Sequence, residues 1–337
     1  MSAIPSRSDE PTLERVVESS LETVEDLLLG SIVGFGDLVD RLTSHLAEAG
    51  GKRLRPLLTL ISAQLGAPHR AASEAVIDAA TAVELTHLAS LYHDDVMDSA
   101  PSRRGVDSAQ IIWGNNRAIL AGDLLFARAS RLIAGLGPES VEYHARMFER
   151  LCMGQLNETF GPGPDADPVE FYLQVLADKT GSLVAAAAHL GALHAGAGKE
   201  VAGMVEAFGE NVGVAFQLAD DVLDLASPAE VTGKTPGTDL REGVNTMPVL
   251  LLKEAERVGT LDPEGRRILE LLDQDLASDE ALEEVVEALR AHPVLEQTRD
   301  LARAWAQKAV DALEGLPESD AKDSLEAFAM MMVDRAA

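Results

Sequence analysis

Apolar residues recur at three- and four-residue spacings through most of the chain, in long Ala/Leu/Val-rich segments, and β-branched runs of strand length are scarce. A period near 3.6 predicts helices almost throughout, and hence an all-α fold. The pattern breaks at Ala49-Gly50-Gly51, Leu65–Pro68, Gly135–Pro138, Phe160–Pro168, Pro228–Gly237 and His292-Pro293, where Gly and Pro punctuate it. Segments between these breaks run well past the about 11–12 residues of an average globular helix. No break combines length, low complexity and a composition shift as a domain linker would, and no repeat of fixed period occurs. The expectation is a flexible tail over residues 1–12, then a single large helical domain over 13–337. From about Asp262 onward, acidic amphipathic segments read as outer helices.

Composition narrows the functional classes. The 337 residues carry 28 basic against 56 acidic side chains, a formal net charge of −28, which argues against a protein built to hold nucleic acid or an anionic membrane. With 46% apolar residues the chain can bury a sizeable core. A single cysteine, Cys152, permits neither an intrachain disulfide nor a cysteine zinc site and fits a reducing compartment. The first ten residues lack the apolar stretch of a signal peptide, and the alanine-rich stretch from Ser182 to Gly198 is too interrupted for a membrane span. These features point to a cytoplasmic globular protein with no stable membrane anchor.

Against that background two acidic clusters stand out. Thr81–Asp98 reads as a buried helix that ends in Asp94, Asp95 and Asp98, and Val212–Asp224 repeats the pattern with Asp220, Asp221 and Asp224. On a helix, residues three and four apart share a face, so each cluster gathers three carboxylates, and Gln217 joins the second. Near a core such a triplet costs several kcal/mol unless a cation relieves the repulsion. Hard oxygen donors with no nearby thiol suit Mg²⁺, which takes a few carboxylates together with substrate phosphates. One D-D-x-x-D is equally a solvated helix face; two copies 126 residues apart, each after an apolar helical run, make coincidence the poorer account. A calcium loop lacks its central Gly here. His93-Asp94 also spells the dyad of metal phosphohydrolases, but that reading leaves the second cluster unexplained.

The scarce cations are grouped. Lys52, Arg53 and Arg55 follow Gly50-Gly51 where a helix should start, with Pro56 in its first turn, a natural phosphate site. Arg103 and Arg104 follow the first acidic cluster closely, and His87 lies two turns before Asp94 on the same helix face. Lys179, Thr180 and Lys234 are weaker signals, each as easily a surface residue. No Ser/His/Asp arrangement, glycine-rich dinucleotide turn or P-loop is present. Two cation-binding clusters, several phosphate-binding cations and no nucleophile suit a reaction in which diphosphate leaves and the protein stabilises charge.

These motifs together resemble a known family. From about residue 45 to 255 the order GGKRLRP (Gly50–Pro56), HDDVMD (His93–Asp98) with Arg103-Arg104-Gly105, GNNRAILAGDLLFARA (Gly114–Ala129), KTGSL (Lys179–Leu183) and FQLADDVLD (Phe216–Asp224) is similar to that of the trans-type isoprenyl diphosphate synthases, or polyprenyl synthetases. The resemblance implies an isoprenoid synthase-like helical bundle around a central cavity, usually a homodimer. It implies that Asp94, Asp98 and Asp220 bind Mg²⁺, with Asp95, Asp221 and Asp224 in support. Lys52, Arg55, His87 and Arg104 match contacts to isopentenyl diphosphate, with Arg53 in the same motif. Arg103, Lys179, Thr180, Gln217 and Lys234 match contacts to an allylic diphosphate, Lys179 among the catalytic set. One position departs: Val244 stands where many members have a lysine.

In the family, side chains below the first aspartate motif set product length. Here Ala89 and Ser90 occupy the wall positions, and Thr86, Ala82, Val83 and Ala79 continue upstream without a bulky ring. The expectation is an open tunnel and a C30–C50 product. A C20 product is the alternative, with Phe126 on another helix as a candidate floor. A class I terpene cyclase would not need the second D-D-x-x-D or the Gly50–Pro56 motif, and a non-catalytic partner subunit would typically lose its aspartates.

Overall fold

The computed structural model describes residues 12–226 and 236–334, and these are helical nearly throughout. In chain order the helices are α1 (Leu13–Ser31), α2 (Asp37–Glu48), α3 (Leu54–Ala63), α4 (Glu74–Met97), α5 (Ala109–Trp113), α6 (Asn115–Gly135), α7 (Pro138–Phe160), α8 (Pro168–Leu176), α9 (Ser182–His194), α10 (Lys199–Ala226), α11 (Thr238–Arg241), α12 (Met247–Arg257), α13 (Pro263–Leu272), α14 (Asp279–Ala291), α15 (Pro293–Asp311) and α16 (Asp320–Asp334). A two-stranded antiparallel hairpin, β1 (Ser102–Arg103) and β2 (Val106–Asp107), and a π-helical turn at Ala177–Gly181 interrupt them. Helix ends follow the punctuation in the sequence. Asp167 caps α8, its carboxylate accepting from the Val169 and Glu170 amides at 2.9 and 3.0 Å, with Pro168 at the first helical position. His292 does the same for α15 through Nδ1, accepting from Val294 N ahead of Pro293.

These residues form two compact units. One takes residues up to 146, 186–206 and 315–325; the other takes 147–185, 207–314 and those from 326 on. Four of the five crossings fall inside helices α7, α9, α10 and α16, so no linker marks them and the sequence carries no boundary signal.

In the first unit α4 is buried on every side: Val76, Ala79, Ala80, Ala82, Val83, Leu85 and Leu88 are inaccessible to solvent. Helices α1, α3 and α6 pack against it. Tyr92, fully buried, anchors the end of α4 to α2 by donating its hydroxyl to Leu42 O at 2.5 Å. In the second unit the acidic C-terminal helices do more than line the outside. Ile268, Leu282, Val285, Val286, Leu289 and Val294 close a core around Ala219, Val222 and Leu225 of α10, and Arg290 Nε donates to Leu225 O at 2.5 Å. Truncating a buried Leu in such a core costs about 2–5 kcal/mol. Helices α13 to α15 therefore brace the helix that carries the second aspartate cluster. Residues 1–11, 227–235 and 335–337, and with them most of the N-terminal tail and of the Pro228–Gly237 break, lie outside the described residues.

Candidate active site

At the end of α4 the first aspartate cluster sorts itself by depth. Asp94 is half-buried, Asp95 is fully buried and Asp98, the C-cap residue, is exposed. Asp95 Oδ1 is paired with Arg103 Nε at 2.7 Å, while its buried Oδ2 has no partner. Burial pushes the Asp95 carboxyl up, and the Arg103 guanidinium opposes that shift. Arg103 comes from the hairpin, whose turn residues Arg104 and Gly105 have φ of +54° and +79°, the two positive values of a type I′ turn. Strands of two residues leave no alternating pattern, which is why the sequence shows Arg103 and Arg104 as a cluster but not as a hairpin. His93 turns to α6, its Nε2 lying 3.1 Å from Ile119 O and 3.5 Å from Asp123 Oδ1.

The cations of the Gly50–Pro56 motif converge on the same unit. Arg104 Nη1 donates to Leu46 O at 2.7 Å and also to Gly50 O. Arg53 is committed to protein carboxylates: Nε and Nη2 grip Glu25 at 2.7 and 2.8 Å, and Nη1 reaches Glu84 at 3.3 Å. The buried Nε–H of Arg55 has no hydrogen-bond partner, whereas Lys52 is exposed. His87 lies amid Arg55, Arg104, Arg103 and Arg53; burial first, then these positive charges, hold its pKa well below the usual histidine value. It is therefore a neutral imidazole near pH 7, able to donate one N–H to an anion without adding charge. Glu84 and Glu25 are absent from the sequence-based set, although a glutamate inside an apolar run three residues before His87 was a visible signal for Glu84.

The second unit presents a matching cluster. On α10, Asp220 and Asp224 are half-buried and Asp221 is buried. Asp221 accepts from Tyr172 Oη at 3.1 and 3.0 Å and from Met247 N at 3.0 Å. Burial pushes its carboxyl up to about 8; the Met247 and Tyr172 hydrogen bonds oppose this, and Asp239 and Asp220 add to it. Tyr172 is raised in turn, by burial and then by Asp221. Lys179 and Thr180 lie in the π-helical turn, with Lys179 Nζ on Glu158 at 2.5 Å. That turn is pinned by Arg150, which holds Asp178 at 2.9 Å and Glu210 at 2.6 Å, and by Gly213, where a Cβ would stand 2.5 Å from Gly181 Cα. Gln217 is half-buried on α10, and Lys234 lies outside the described residues. Val244 is exposed on the rim of a cavity of about 170 Å³, also lined by Asn245 and Lys253, and it offers no charge there.

Among the described residues no three carboxylate, histidine or cysteine side chains close a metal cage. That suits an ion which takes one or two carboxylates and completes its shell with water and substrate phosphate. In each cluster the middle aspartate is the buried one, and the more accessible outer ones, Asp94 and Asp98 or Asp220 and Asp224, could hold such an ion.

An all-α chain with two aspartate-ended helices and a basic, anion-accepting corner defines the isoprenoid synthase class. Comparison with known proteins agrees. The polyprenyl synthetase family model matches residues 37–289. A nonaprenyl diphosphate synthase of Mycobacterium tuberculosis is 41% identical over 96% of this chain and 91% of its own length. Among solved structures, a geranylgeranyl pyrophosphate synthase of Corynebacterium glutamicum, complexed with calcium and isoprenyl diphosphate, superposes with a TM-score of 0.84 at 40% identity, covering 98% of this chain and 99% of that one. A polyprenyl synthase of Caulobacter crescentus, with the same ligands, gives 0.84 at 33% identity, covering 97% and 98%. The chain belongs to the polyprenyl synthetase family, with the all-α isoprenoid synthase fold, and is by class a prenyltransferase.

Proposed function

We propose that this chain is a Mg²⁺-dependent trans-polyprenyl diphosphate synthase that joins isopentenyl diphosphate head-to-tail to an allylic diphosphate, giving a C30–C50 product. The observation that carries the reading is the repeated sorting of both aspartate triplets by depth, with the middle carboxylate buried and the outer ones more accessible. The calcium and isoprenyl diphosphate in related structures support a divalent cation and diphosphate substrates. Magnesium is the proposed ion because hard carboxylates plus phosphate are its usual shell. Because the family model spans residues of both units, it also supports residues 13–337 acting as one synthase domain. The preserved Gly50–Pro56 motif and all six aspartates favour a synthase over a terpene cyclase or an inactive partner subunit.

In this mechanism Lys52, Arg55, Arg104 and neutral His87 bind the diphosphate of isopentenyl diphosphate. Lys179, Thr180, Gln217, Lys234 and Arg103 orient the allylic diphosphate. Mg²⁺ ions held at Asp94 and Asp98 and, separately, at Asp220 would neutralise the charge of the departing diphosphate. The allylic C1–O bond breaks with its electron pair leaving on diphosphate; the isopentenyl double bond then attacks C1, and a proton passes from isopentenyl C2 to the released diphosphate. No side chain need form a covalent intermediate.

Similar identity to a C45 and a C20 synthase means that relatedness alone does not set the length. Small residues at Ala89 and Ser90 support the longer product. One observation favours the shorter: beside Thr86, eight residues and about 12 Å before Asp94, Phe126 stacks on His144 with centroids 5.7 Å apart, and His144 Nε2 lies 3.0 Å from Thr86 Oγ1. Product analysis of Ala89→Phe and Phe126→Ala separates them: the first should shorten the product, and lengthening by the second would identify Phe126 as the floor. Ile111, Ile112, Ile119 and Leu120, all exposed on α5 and α6, support a homodimer, and Leu120→Glu should convert it to monomer in light scattering. Among the described residues no helix is long and apolar enough to cross a membrane, which supports the cytoplasmic assignment.

A further inference from the structure

Glu84 is a charged side chain that the reaction does not call for. It sits in the middle of α4, 2% exposed, where an unpaired carboxylate would be costly. Among the described residues its one ion pair is to Arg53 Nη1 at 3.3 Å, and its field also reaches Arg55 and Arg104. Arg53 is itself clamped from the other side by Glu25, which is 38% exposed. Two of these arginines, Arg53 and Arg104, adopt left-handed backbone with φ of +47° and +54°, a conformation rarely used by non-glycine residues. Their guanidinium groups close on Gly51: a Cβ there would stand 3.0 Å from both Arg104 Cζ and Arg53 Nη1. Like charges crowd onto strained backbone here, and such an arrangement persists only when its surroundings over-determine it.

We infer that Glu84 is a positioning residue for the isopentenyl half-site: its buried charge gathers Arg53, Arg55 and Arg104 into one preorganised corner before any diphosphate arrives. Arg53 belongs to this scaffold and acts through its neighbours, not by touching substrate. The buried, unpartnered Nε–H of Arg55 is the donor left over for the anion, and Arg104, tied to Leu46 O and Gly50 O, supplies the opposing charge. The inference rests on the synthase reading above, because it assigns this corner to the isopentenyl diphosphate.

The test compares Glu84→Gln with wild type in steady-state elongation, varying isopentenyl diphosphate and primer separately, alongside slow hydrolysis of geranyl diphosphate without isopentenyl diphosphate. The expected result is a KM for isopentenyl diphosphate raised about tenfold or more, with primer KM and primer hydrolysis within about twofold. Glu84→Asp, which restores the charge, should recover most of the affinity. A KM for isopentenyl diphosphate that is unchanged or lower would overturn the inference, since deleting an anion then merely strengthens phosphate attraction. An equal loss in both half-reactions would show a general structural role and overturn it too. If Glu84→Gln does not fold, Arg53→Lys decides by the same split between isopentenyl and primer KM. Wild-type enzyme inactive with every primer would instead refute the synthase reading, so the two failures are distinguishable.

Discussion

The helices α4 and α10 end in the same D-D-x-x-D pattern, yet their middle aspartates are held in opposite electrostatic ways. Asp95 is buried against a cation, Arg103, at 2.7 Å. Asp221 is buried against neutral donors, the Tyr172 hydroxyl and the Met247 amide. The first carboxylate is compensated by a hairpin that also carries Arg104, so its charge is tied to the cluster of arginines around Gly51. The second has no ion pair to a cation among the described residues, and its carboxyl is pushed up to about 8. One motif therefore serves two environments, one paired with an arginine and the other held by neutral donors.

The comparison can be broken at several points. The outer aspartates should matter most. Asp94→Ala and Asp220→Ala should each lower kcat by about 10²–10³-fold or more at saturating Mg²⁺, with little change in Tm. Equal activity in either variant would remove that residue from the metal set.

The middle aspartates should separate by stability. Asp95→Asn removes the charge opposite half-buried Arg103 and should cost about 2–3 kcal/mol in denaturant unfolding. Asp221→Asn keeps an oxygen for Tyr172 and Met247 and should cost less than about 1 kcal/mol without metal. Similar losses in both would mean that Arg103 and Tyr172 do equivalent jobs.

Acidity offers a finer test of the same asymmetry. The folded pKa of Asp221 lies above its unfolded value of about 3.9, so the stabilisation from protonating it is complete below that value and is lost as pH rises through about 8. Metal-free wild type should therefore gain stability relative to Asp221→Asn as pH falls from about 8. His144 runs the other way. Burial lowers its pKa to about 4, so its contribution is full above the ordinary histidine value and is lost as pH falls towards 4. Because Thr86 Oγ1 spends its proton on Ala82 O, His144 must donate through Nε2–H, and His144→Gln should flatten that acid limb in thermal melts at pH 4–7. Tyr172→Phe, which loses one hydrogen bond to a buried carboxyl, should cost about 1 kcal/mol in denaturant unfolding.

The helical fold and both aspartate clusters were legible because each repeats a pattern over a turn or more of helix, and the basic motifs because cations are scarce in so acidic a chain. What was not legible is local or long-range. The β1–β2 hairpin is too short to show alternation, and the π-helical turn depends on Gly213 meeting Gly181, 32 positions away. The carboxylate partners of Arg53, Glu25 and Glu84, come from α1 and α4, so its ion pairs had no local sign in the sequence. The C-terminal helices read as outer because amphipathicity reports that a face is buried, not what lies beneath it, and beneath it is the helix of Asp220.

The most direct test of the central claim is mass-spectrometric product analysis. Purified protein would receive isopentenyl diphosphate with C10, C15 or C20 allylic primers, in Mg²⁺ or in EDTA. The expected result is a Mg²⁺-dependent ladder ending at one length in the C30–C50 range. Folded protein that elongates no primer, or elongates equally in EDTA, would contradict it.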